Sequence, residues 1–83
     1  MSKVVVAVRD LKASAFLHPH FQVSKGVAIR SFSDAVHDKQ SMISQHPQDY
    51  QLYLLGELDE ASGHLTALEL PELLCSAIDF VTA

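Results

Sequence analysis

His18 and His20 stand two residues apart, a spacing that sets two imidazoles on one face of a strand. A third ligand such as His64 or Asp10 would be needed to hold a metal there. The five histidines are otherwise scattered, and metal sites usually declare more ligands than this, so no metal is expected. Cys75 lies in ELLCSAIDF, an apolar helical pattern in which a buried, inert thiol is the ordinary outcome. No nucleophile-elbow or Cys/His signature accompanies it. Glu57, Asp59 and Glu60 crowd a turn, where acids are normally solvated. A nonenzymatic protein without a cofactor is therefore expected. Ser24-Lys25-Gly26 is a faint version of a phosphate cradle, and an ordinary helix cap explains it better.

The remaining chemistry is electrostatic. All six Lys and Arg fall within residues 1 to 39 beside three Asp, which makes that half +3. Residues 40 to 83 carry seven acids and no Lys or Arg, giving −7. Such asymmetry concerns partners and steering, not fold. Single-stranded nucleic acid asks for cations beside aromatic stacking platforms. Arg9, Lys12, Lys25 and Arg30 are the candidate contacts, with Phe16 and Phe21 near them in sequence. An acidic chain of pI about 5.6 argues against strong nonspecific binding. Phe16 and Phe21 are expected in the core.

These side chains must be positioned by a short list of elements. Lys3 to Arg9, KVVVAVR, reads as an interior strand. Asp10 to Ser14 turns, and Ala15 to Val23 pairs back as a strand that lies at an edge, bulges or breaks at Pro19. Ser24 is the expected N-cap of a helix whose stripe is Ala28, Ile29, Phe32, Ala35 and Val36. Gly26 costs that helix some stability, which suggests a neighbouring backbone passing close. Tyr50 to Leu58 is a second clear strand, with Leu52 and Leu54 on one face and Tyr53 and Leu55 on the other. DEASG at 59 to 63 is a hairpin loop with Gly63 left-handed. His64 to Glu69 returns as a strand. Pro71 is expected in the first turn of a final helix carrying Leu73, Leu74, Ala77, Ile78 and Val81. The order β-β-α-β-β-α implies an α+β fold: a four-stranded, mainly antiparallel sheet with two helices packed on one face.

Eighty-three residues make a single α+β domain spanning 1–83. Its 48% hydrophobic content is high for so small a domain, and Tyr50 to Leu58 needs cover on both faces, so a homodimer is expected. One cysteine allows no internal disulfide and suits a reducing cytoplasm. The apolar run Val4 to Val8 is too short for a signal peptide or membrane span, so a soluble protein without membrane contact is expected.

The blocks VRDLKASAFLHPHF, GVAIRSFSDAVHD and HPQDYQLYLLGELDEASGHL resemble the small nonstructural protein of gokushovirus-type microviruses, icosahedral bacteriophages with circular single-stranded DNA. The resemblance runs from about Val8 to Leu68, and AIRSFSDAV and HPQDYQLYLLGELD are its most specific parts. It implies a protein of the infected host bacterial cytoplasm that is absent from the main viral shell. It further implies an accessory role in viral genome replication or packaging. Protein–protein contacts with replication, procapsid or host replication proteins are the expected mode. Direct single-stranded DNA binding by the basic N-terminal half and transient scaffolding of the capsid are the alternatives. No catalytic or binding residues come with the resemblance, and the variable tail after Leu70 lends Cys75 no role.

Overall fold

β1 (Ser2–Asp10) lies inside the sheet, as its run of valines predicts, and everything else is arranged around it. The computed structural model describes residues 2–81. Along one flank of β1 run two short pieces, β2 (Ala15–Phe16) and β3 (His20–Gln22); along the other runs β4 (Tyr50–Asp59), followed by β5 (Leu65–Ser76). All pairings are antiparallel. α1 (Lys25–His37) and the one-turn α2 (Met42–Gln45) complete an α+β fold, and short 3-10 turns occupy Pro47–Asp49 and Ala77–Phe80.

Local chemistry explains most boundaries. Ser24 caps α1, its Oγ accepting from the Val27 N–H at 3.1 Å. The expected stripe is the one that packs: Ala28, Phe32 and Val36 are buried, with Ile29 against them. They meet Val6, Leu52 and Leu54 from the sheet, together with Ala77, and Phe80 closes edge-on over Phe32 at 6.4 Å. The Asp59 carboxylate organises the β4–β5 hairpin, accepting from the Ala61 N–H and the Ser62 hydroxyl, while Gly63 takes φ +76°.

Pro19 interrupts the outer strand as its missing donor requires. From Arg9↔Phe16 to Val5↔Phe21 the register advances four residues on β1 and five on its partner, so one extra residue bulges out between β2 and β3.

The expected C-terminal helix does not form. Residues 71–76 continue β5, and only a 3-10 turn follows. β4 has a second edge, and Leu52, Tyr53 and Leu54 complete their ladder with Cys75, Leu73 and Glu72. A helix from Pro71 would leave those groups of a central strand unpaired. Pro71 itself sits in an irregular excursion between Ala67, opposite Gly56, and Glu72, opposite Leu54. There its lack of an N–H breaks no paired register. The second helical element is α2 instead, which packs beside α1.

Gly26 also differs from expectation. A Cβ there would meet nothing nearer than Ser24 Oγ at 3.9 Å, so no backbone crowds it. The crowded glycine is Gly56, where a Cβ would lie 2.3 Å from the Thr66 carbonyl oxygen. β4 bulges at Leu55 against β1, while on its other side the extra residues belong to β5, whose Thr66 and Ala67 backbone presses in at Gly56.

Candidate nucleic-acid interface

Directly paired residues of an antiparallel sheet project to the same face, and alternate residues to opposite faces. Val4, Val6, Val8, Tyr50, Leu52 and Leu54 belong to the core beneath α1. Their alternates, Lys3, Val5, Ala7 and Arg9 on β1, therefore line the open face. By register Phe16 and Phe21, Gln51 and Tyr53, and Leu73 and Ser76 join them.

Contacts confirm this arrangement. Phe16 meets Tyr53 edge-on with ring centroids 5.4 Å apart, and the Arg9 guanidinium lies 5.0 Å from the centre of the Phe16 ring. The Tyr53 hydroxyl donates to Gln51 Oε1 at 3.0 Å, and Gln51 Nε2 donates to Ser76 Oγ at 3.2 Å. Each side chain in this chain of contacts is thus held by the next. No helix covers the face among the described residues: Phe16 is 37% exposed and Phe21 54%. That corrects their expected place in the core, which is filled by Phe32 and Phe80.

Charge sorts in the same way. Lys3 and Arg9 are on the open face, and among the described residues no Asp or Glu holds a register position there. Glu57, Asp59 and Glu72 pair on the helix-side rows. Lys3 reaches Glu60 of the hairpin at 3.6 Å, an exposed contact of little strength.

The four cations singled out from the sequence are not brought together. Arg9 is on the open face, and Lys12 is exposed in the adjoining turn, where its N–H donates to Asp10 Oδ1 at 3.0 Å. Lys25 and Arg30 are on α1, across the sheet, and Lys25 is paired with Glu72 at 3.3 Å. The sequence does not single out Lys3 and Tyr53; for Lys3 the alternation Lys3-Val5-Ala7-Arg9 is the readable signal. The alignment of Phe16 with Phe21 was not readable, because five residues of regular strand would place them on opposite faces. The single-residue bulge at Pro19 puts them on one.

His18 and His20 both line a groove of about 580 Å³ beside Ile43. The suggested third ligands are elsewhere: His64 follows the far hairpin, and Asp10 accepts from the Lys12 and Ala13 N–H groups. No group of three or more His, Cys, Asp or Glu among the described residues is placed to hold a metal ion. Burial, with Asp79 adding, pushes the Cys75 thiol up to about 11, which keeps it protonated at neutral pH. Burial, then Asp10 and Asp49, likewise raises the Tyr50 phenol. No helix among the described residues is long and apolar enough to cross a membrane.

No curated protein and no solved structure matches the chain. A family model described as Phage ORF5 protein matches residues 3–80, nearly the whole length. With that span covered, the chain belongs to the phage ORF5 protein family.

Proposed function

We propose that this phage protein is a nonenzymatic accessory factor that binds single-stranded DNA on the open face of its sheet. The observation that carries the reading is the contact set of Arg9, Phe16 and Tyr53, with Phe21 and Lys3 further along the same face, where no acid holds a register position. Exposed aromatic rings offer sequence-tolerant stacking for unpaired bases, and the two cations suit the backbone between them. A duplex hides its base faces, so the same surface favours a single strand. Among the acids that outweigh these cations, Glu57, Asp59 and Glu72 are on the helix-side rows and Glu60 is at the hairpin.

This reading fits the resemblance to gokushovirus-type proteins and a role in replication or packaging of a single-stranded genome in the host bacterial cytoplasm. Fluorescence anisotropy of a labelled single-stranded oligonucleotide, titrated at low and moderate salt, tests it. Salt-sensitive binding that Phe16→Ala and Phe21→Ala weaken, and that a duplex of the same sequence does not reproduce, is the expected result. Absence of binding at low salt would reject it.

A second reading has its own observation. Leu65, Leu70 and Leu73 expose 58%, 77% and 49% of their surface along β5. Apolar residues on one outer strand suit a protein contact, either a second copy forming a homodimer or a replication or procapsid protein. Light scattering at micromolar concentration separates these, since a persistent monomer leaves only the heterologous partner.

A further inference from the structure

The open face is not flat. Gly56 has no side chain, and none could be added with the Thr66 carbonyl where it is. The bulge at Leu55 turns that side chain beside the gap, and Pro19 reaches over from the outer-strand bulge. The outcome is a hollow of about 210 Å³ over the backbone of Gly56, walled by Val5, Pro19, Leu55, Leu65 and Ala67. Phe21, the register partner of Val5, stands next to it. Lys3 and Arg9 are on the same face on either side of Val5, separated by six residues of strand, about 20 Å. A strand of nucleic acid held at both cations passes over the hollow.

We infer that this hollow takes one thymine base of a bound single strand, recognising its 5-methyl group. The inference rests on the open face binding single-stranded DNA. A planar base fits between the aliphatic walls of the hollow, over the Gly56 backbone, and the neighbouring Phe21 ring offers the adjacent base a stacking surface. The walls contribute aliphatic side chains, which do not read the hydrogen-bonding edge of a base. What aliphatic walls do sense is apolar bulk, and among the DNA bases only thymine carries a methyl. The charge at both ends supplies the reason that an anionic strand, in preference to an apolar peptide, occupies this apolar gap.

Deoxyuridine differs from thymidine by that methyl alone, so oligo(dT) and oligo(dU) of equal length isolate the contact. Wild-type protein is expected to bind oligo(dT) about fourfold more tightly, the change one buried methyl produces. Ala67→Leu fills the hollow from an exposed position and is expected to bring the dT/dU ratio to one. Leu65→Ala removes a wall and is expected to lower the ratio too, which keeps the test sharp if the first variant unfolds. Equal affinity of wild-type protein for the two oligonucleotides would overturn the inference while leaving the binding face intact. So would a ratio unchanged in both variants. Failure to bind either oligonucleotide would overturn the hollow and the face together.

Discussion

The Arg9 guanidinium lies 5.0 Å from the centre of the Phe16 ring, which itself stands edge-on to Tyr53 at 5.4 Å. A cation over one face of a ring is held there by the ring quadrupole, so both groups are positioned before any ligand arrives. Truncating Phe16 to Ala removes a stacking surface and frees Arg9. Base–aromatic stacking contributes about 1–3 kcal/mol per base, so affinity for a single strand is expected to fall by roughly 5- to 150-fold. Anisotropy titration measures it, with the thermal midpoint as a control on folding. An unchanged affinity would exclude Phe16 from the interface.

Position separates the cations more than number does. Lys3→Glu with Arg9→Glu is expected to abolish binding and flatten its salt dependence. Lys25→Glu with Arg30→Glu makes the same change in net charge on the opposite side of the sheet and is expected to leave most affinity in place. Equal losses in the two double variants would show that total charge, not the face, governs binding.

The two glycines predict opposite stability effects. Gly26→Ala adds a methyl into open space inside α1 and should stabilise by about 0.5–1 kcal/mol. Gly56→Ala drives a Cβ to 2.3 Å from the Thr66 oxygen and should destabilise by roughly 1–3 kcal/mol or more. Urea midpoints with unchanged slopes check both. A tolerated Gly56→Ala would mean that β5 is not seated against β4 at that point.

Alkaline pH should weaken the fold through Cys75. The folded thiol keeps its proton up to about 11, whereas an unfolded chain releases it near the ordinary value of about 8.5. Between those values the unfolded state binds fewer protons, so stability falls as pH rises. Tyr50, raised in the same direction, adds to the decline at the upper end. Cys75→Ala is expected to flatten the slope of stability against pH through this window. Denaturant midpoints collected across it measure the effect, and a slope identical to wild type would assign the loss to other groups.

Much of this architecture was legible from composition and spacing. The valines of β1, the stripe from Ala28 to Val36, the Ser24 cap and the Asp59–Gly63 turn are local features, and each formed where its residues indicated. Hydrophobic periodicity and capping act within a few residues, so one sequence suffices to read them. The segment after Pro71 was ambiguous because Leu73, Leu74, Ala77 and Ile78 satisfy a helical stripe as well as they line a strand. What decided it lay more than fifteen residues away: the unpaired edge of β4 at Leu52 to Leu54, which needs hydrogen-bond partners. The open face was decided in the same non-local way. Phe16 and Phe21 share a side because of a bulge at Pro19, and the hollow exists because β5 crosses Gly56 closely enough to forbid a side chain. Local propensity chose most of the elements, while the pairing demands of neighbouring strands decided the segment after Pro71, which side chains met and which face stayed open.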